Sequence, residues 1–114
     1  MKKEERIKKN AHFRLIYKKG KSVSDSNLVM YYSKNGNNYN RIGVSVSKKV
    51  GKSVVRNRYK RLIRESFRKN KSIFKQGYDI IFIARVGILK SNYSEVEKSV
   101  VGLMKRVGLI KEGK

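Results

Sequence analysis

Apolar residues recur along this chain in two rhythms, every second position and every third to fourth, and the switches between them mark out its elements. After its initial methionine, Met1 to Lys9 carries one apolar residue, Ile7, and reads as a mobile arm or an extended lead-in. Asn10 is placed to cap a short helix over Ala11 to Lys19, with Phe13, Ile16 and Tyr17 on one face. Lys18 and Lys19 suit the negative end of the helix dipole, and Gly20 stops the helix. From Asn27 to Ser33 the period becomes two, with Leu28, Met30 and Tyr32 opposed to Val29, Tyr31 and Ser33. Asn35-Gly36-Asn37-Asn38 has the chemistry of a hairpin loop, and Arg41 to Ser47 returns as a strand. Ile42, Val44 and Val46 form its greasy face, and Gly43, Ser45 and Ser47 the small, polar one.

Gly51 then breaks the chain and Ser53 is placed to cap a helix running to about Asn70, with Val55, Tyr59, Leu62, Ile63 and Phe67 as its apolar stripe. Tyr78 to Arg85 is so rich in Ile and Phe that it predicts a buried strand, in the middle or on the covered side of a sheet. Ser94 and Glu97 have capping-box spacing ahead of a last helix with Val96, Val100, Leu103, Met104 and Val107, which Gly108 ends. With a further short strand near Ser22 and Val23, the order predicts a single α+β sandwich with three helices and about four strands. No repeat or second domain is visible, and 114 residues suit one compact unit.

Composition changes this picture in one respect. Thirty Lys and Arg stand against eight Asp and Glu, a formal net charge of +22, so the folded chain repels itself unless an anionic partner screens it. Acidic membranes and nucleic acids both qualify, and a very basic chain can also be a disordered tail. Hydrophobic content of 39% argues against the tail, since it is enough to build a core. No apolar run approaches the roughly 18 residues that span a bilayer, and no signal peptide is visible, so a cytoplasmic location is expected. The absence of cysteine excludes disulfides and thiolate metal sites.

The charge is concentrated. Between Lys48 and Lys69 stand Lys48, Lys49, Lys52, Arg56, Arg58, Lys60, Arg61, Arg64, Arg68 and Lys69, with Glu65 the only acid. Arg56, Lys60 and Arg64 align at four-residue spacing, with Asn57, Arg61 and Arg68 on the adjacent row and the apolar stripe on the other side. A merely solvated face would intersperse acids to gain pair energies of a few tenths of a kcal/mol each, and this one declines them. Lys52, Arg56 and Arg58 sit near the helix N-terminus, where the dipole disfavours cations; phosphates taking backbone N–H groups and guanidinium forks would make sense of that.

Gly51 followed by Val54-Val55-Arg56-Asn57-Arg58-Tyr59-Lys60-Arg61-Leu62-Ile63-Arg64-Glu65 resembles the signature of the bacterial ribonuclease P protein subunit. The likeness extends to Arg6-Ile7-Lys8 with Phe13, Tyr17 and Gly20, to Gly43-Val44-Ser45-Val46-Ser47-Lys48-Lys49, and to Asp79 through Ala84-Arg85. Tyr17 stands where phenylalanine is common and Gly87 in a region often holding proline; neither disturbs the assignment. The resemblance implies a two-layer α+β sandwich, a mixed sheet and an unusual left-handed β-α-β crossover. It also implies partnership with a catalytic RNA that removes the 5′ leader from precursor tRNA, using magnesium held mainly by that RNA. No protein catalytic residue or protein-bound cofactor is expected, and neither DNA nor membrane is an expected partner.

The family's single-stranded leader runs between the first helix and the sheet, and the residues offer candidates for such a cleft: Phe13, Tyr17, Val29, Tyr31, Ser45 and Ser47. Aromatics stack bases at roughly 1–3 kcal/mol each with little regard for sequence, and small residues let a strand approach. The plainer reading is that Phe13 and Tyr17 only pack a short helix. His12 has no evident carboxylate partner at useful spacing and reads as an ordinary surface residue, and Asp79, Glu95 and Glu97 are too scattered to suggest a metal pair. A structural RNA-binding protein, ribosomal for example, or a nonspecific DNA-binding protein would share the basic helix. Neither has use for an aromatic cleft on another face.

Overall fold

The computed structural model describes residues 5–112. Helix α1 spans Asn10–Lys19, strands β1, β2 and β3 span Lys21–Ser24, Leu28–Lys34 and Arg41–Ser45, helix α2 spans Ser53–Lys69, β4 spans Tyr78–Ala84 and α3 spans Tyr93–Arg106. Short 3₁₀ turns occupy Lys71–Ile73 and Val86–Lys90. Three helices and one four-stranded mixed sheet make the α+β fold that the order of elements predicts.

The sheet order is β1-β2-β4-β3, antiparallel except for the parallel pair of β3 with β4. β2 and β3 are therefore not a hairpin, although the loop between them has hairpin chemistry. The reason lies in β4. Ile80, Phe82 and Ala84 point to one face and Ile81 and Ile83 to the other, with Ile80, Ile81 and Phe82 fully buried. A strand apolar on both faces gains most when both its edges are paired as well. Across the gap, Asn40 does what a tight turn would have done. Its side chain donates to the Lys75 carbonyl and accepts from the Tyr78 N–H, tying the start of β3 to the start of β4. Gly36 is the one positive-φ residue in the loop.

Helix caps also differ from expectation. Asn10 and Ser53 are the first helical residues of α1 and α2 rather than caps; Lys9 and Lys52 hold the cap positions, and neither makes a side-chain capping bond. The box that opens α3 is Asn92 with Glu95, not Ser94 with Glu97. Glu97 instead accepts a hydrogen bond from Asn70 at the end of α2.

Two clusters hold the sheet. On one face α2 and α3 cover Leu28, Met30, Val44, Ile80 and Phe82, with Phe67 packed on Phe74 and Phe82 at ring-centroid distances of 4.9 and 6.1 Å. Each such side chain contributes roughly 1.5–3 kcal/mol on burial. On the other face α1 rests on a much smaller cluster of Ile7, Ile16 and Ile81, flanked by Phe13, Tyr17, Tyr31 and Ile83. Ile7 is there because residues 6 and 7 run beside β3, with the Ile7 N–H bonded to the Ile42 carbonyl. The described part of the basic N-terminus is thus an extended lead-in; residues 1–4 of the expected arm lie outside the described residues.

Candidate nucleic-acid interface

Strand register lays the face beneath α1 out in rows. Ser24, Val29, Ile83 and Ser45 form one, Ser22, Tyr31, Ile81 and Gly43 the next, and Ser33, Asp79 and Arg41 the third. Val29, Tyr31 and Ser45, expected as cleft residues, do share this face. Because β4 intervenes, the floor between them is Ile81 and Ile83, which the hairpin reading missed by setting β2 directly beside β3.

α1 crosses this floor and leaves an open groove along β3. A cavity of about 380 Å³ is lined by Asn10, Phe13, Arg14, Tyr17, Val44, Ser45, Val46 and Lys60. Gly43 makes the arrangement possible, since a Cβ there would lie 2.7 Å from Phe13 Cζ. Phe13 and Tyr17 form the aromatic wall of this cavity; Tyr17 stands edge-on to Tyr31 at 4.9 Å and tilted to Phe13 at 6.2 Å, while Val29 and Tyr31 share the face on β2 without lining the cavity. The rings both pack and remain reachable. Burial, followed by the neighbouring Tyr31, raises the Tyr17 hydroxyl above its ordinary pKa, which keeps it a neutral hydrogen-bond donor. Ser47 is not part of this group. It is exposed beyond the end of β3 and lines a separate cavity of about 550 Å³ with Ser26, Lys49, Arg85 and Gly87.

α2 presents its cations in two tiers. Arg56, Lys60 and Arg64 are half-buried, while Asn57, Arg58, Arg61 and Arg68 are exposed, as are Lys48, Lys49 and Lys52 ahead of the helix. Its first turn holds no acid. Lys60 reaches the groove, and one turn on, Arg64 joins Arg6, Arg61, Glu65 and Arg68 around a second cavity of about 380 Å³. Burial and then the charge of Arg6 lower the Arg64 pKa, a sign that this cluster is held together against repulsion. Among the described residues Glu65 forms an ion pair with Arg68, at an exposed site, and it offsets little. The Arg56 Nε is buried with no hydrogen-bond partner among the described residues, an expensive omission that an anion would repair. Arg6 was the member of this cluster that helical spacing could not supply, because it arrives from the N-terminal lead-in.

His12 differs most from expectation. Its Nε2 lies 2.8 Å from Asp79 Oδ2, so it does have a carboxylate partner, from a strand 67 residues away. Among the described residues no three His, Cys, Asp or Glu side chains group closely enough to hold a metal ion, and no helix is long and apolar enough to cross a membrane.

Comparison with known proteins agrees with this geometry. The family model described as Ribonuclease P matches residues 1–108. The ribonuclease P protein component of Clostridium kluyveri is 58% identical over 108 residues, covering 93% of this chain and 96% of that protein. That of Clostridium novyi is 56% identical over 111 residues, covering 96% and 98%. Among solved structures, the RNase P protein of Staphylococcus aureus superposes with a TM-score of 0.87 at 41% identity, covering 94% of this chain and 98% of that one. The RNase P protein of Thermotoga maritima gives 0.83 at 36% identity, covering 96% and 99%.

Proposed function

The chain belongs to the ribonuclease P protein family, as the protein component of that tRNA-processing ribonucleoprotein, and from this premise we propose how its two surfaces divide the work. The exposed cations of α2 and the turn before it, Lys48, Lys49, Lys52, Arg58, Arg61 and Arg68, with Asn57, face the RNA subunit. The groove of Phe13, Tyr17, Val29, Tyr31 and Ser45 receives the single-stranded 5′ leader of precursor tRNA. Hydrolysis falls to the RNA and the magnesium ions it holds, and the assembly works in the bacterial cytoplasm.

One observation carries this reading: the aromatic groove and the basic helix meet at Lys60, which belongs to both. A leader stacked on Phe13, Tyr17 and Tyr31 would run past Lys60 with its phosphates toward the half-buried row of Arg56 and Arg64. A strand in the groove would neutralise them while its bases face the floor. Ser47 and the cavity around Lys49 and Arg85 extend the basic surface past the end of β3 and belong with the RNA-facing side.

The test is binding to a holoenzyme reconstituted with the RNA subunit. Phe13→Ala and Tyr17→Ala should each weaken binding of leader-bearing precursor by roughly 1–3 kcal/mol and leave mature tRNA unaffected. Equal losses for both ligands would rule out leader recognition by this groove.

A further inference from the structure

Beside the groove the chain buries one fully engaged carboxylate. The Asp79 side chain is 6% exposed and receives Arg41 Nε at 2.7 Å, Arg41 Nη2 at 2.9 Å, Asn35 Nδ2 at 3.1 Å and His12 Nε2 at 2.8 Å. A carboxylate has about four acceptor positions, and all are taken. Burial alone would raise its pKa, but the bonds from Arg41, Asn35 and His12, and the charge of Arg41, hold it below the ordinary value. Arg41 belongs to β3 and Asn35 to the loop after β2, so the sheet satisfies three of the four positions by itself. The fourth donor comes from α1.

That donor sits on a helix with little else to hold it. Ile16 is the one buried residue of α1, its first turn holds no acid, and its cap position makes no side-chain bond. Among the described residues, no other side-chain hydrogen bond joins α1 to the sheet. His12 and Ile16 are four apart and form the row by which the helix is attached. Phe13 and Tyr17, each one position further on, form the neighbouring row, which is the wall of the groove. With Ile16 as its one fully buried side chain and Phe13 and Tyr17 only half-buried, the helix could roll about its axis and carry both rings away from Tyr31 and the floor. A second anchor one turn earlier forbids that roll.

We propose that His12 is a positioning residue for substrate: its hydrogen bond to Asp79 fixes the roll of α1 and with it the Phe13–Tyr17 wall. This rests on the groove being the leader site. The role needs a donor at the Nε2 position, which a glutamine can supply and an alanine cannot. Losing it leaves Asp79 with Arg41 and Asn35, so the fold survives.

The holoenzyme reconstituted from the full chain and its RNA subunit tests this, with wild type, His12→Ala, His12→Gln and Phe13→Ala compared at one salt concentration. His12→Ala should lower the ratio of precursor to mature tRNA affinity by roughly 3- to 10-fold, the effect of one hydrogen bond. Mature tRNA and RNA-subunit affinities should stay unchanged, and His12→Gln should recover most of the loss. In the free protein, hydrogen exchange should quicken across residues 12–17 in His12→Ala and stay unchanged in α2 and α3. A wild-type ratio in His12→Ala with a reduced one in Phe13→Ala would overturn the role of His12 and leave the groove standing; wild-type ratios in both would overturn both. Faster exchange in α2 and α3 too, or failure of glutamine to rescue, would reduce His12 to a structural residue and overturn the proposal.

Discussion

Adding one methyl group at Gly43 tests whether Phe13 sits where the groove requires. A Cβ at this position would lie 2.7 Å from Phe13 Cζ, 2.9 Å from Phe13 Cε1 and 3.2 Å from Ile7 Cβ. Carbon atoms in contact prefer about 3.5–4.0 Å, so the ring must retreat by about 1 Å. Gly43 has no positive φ, so its backbone accepts alanine and the whole cost is packing. Overpacking costs about 1–3 kcal/mol, and because Phe13 is half-buried on a lightly held helix, Gly43→Ala should fall near 1 kcal/mol. That is a fall in Tm of roughly 4 °C, read by thermal unfolding in phosphate buffer that screens the chain's charge. The displaced ring moves into the groove, so precursor binding should weaken by up to the value of one stacked base, about 1–3 kcal/mol, with mature tRNA unaffected. Phe13→Leu should relieve the clash, and a double-mutant cycle should show a coupling of at least about 0.5 kcal/mol. Unchanged stability in Gly43→Ala, with strict additivity against Phe13→Leu, would refute this placement of the ring.

Arg56→Ala with Arg58→Ala should make the salt dependence of RNA binding shallower by roughly one to two units, at about 0.7–0.9 per lost phosphate contact; an unchanged slope would move the interface elsewhere. Asp79 has a pKa depressed in the folded state, so its contribution is complete above the ordinary carboxylate range and lost as pH falls through the folded value. Urea unfolding should therefore show wild type more stable than Asp79→Asn near neutrality, the gap closing in acid; a gap constant with pH would contradict the ionised network. Asn92→Ala should cost about 1 kcal/mol in the same assay and Ser94→Ala much less, because Asn92 caps α3; the reverse order would restore the Ser94 box.

What could be read from the residues follows how local each interaction is. α2 was legible from its stripe and from Gly51, and the central place of β4 from its unbroken run of Ile and Phe, because both signals lie within one element. The β2–β3 hairpin was not, since Asn35-Gly36-Asn37-Asn38 carries turn chemistry whichever strand comes next, and only β4's need for two neighbours separates the pair. Ser94 and Asn92 both have an acid three residues on, so spacing could not choose between them. In the groove, the rings of α1 and the small residues of β3 were visible, but Ile81 and Ile83 were hidden because a β2–β3 hairpin leaves no place for β4 between them. Arg6 and the His12–Asp79 bond depend on chain segments that meet only in the folded protein, and no periodicity reports that.

The division between two surfaces can be tested by where each RNA crosslinks. A photoreactive base in the leader of precursor tRNA, bound to the reconstituted holoenzyme, should crosslink to Phe13, Tyr17 or Tyr31. Photoreactive positions in the RNA subunit should label peptides carrying Arg58 and Arg61. Leader crosslinks to the Arg58 and Arg61 peptides, with none in α1 or β2, would contradict the assignment of the groove to substrate.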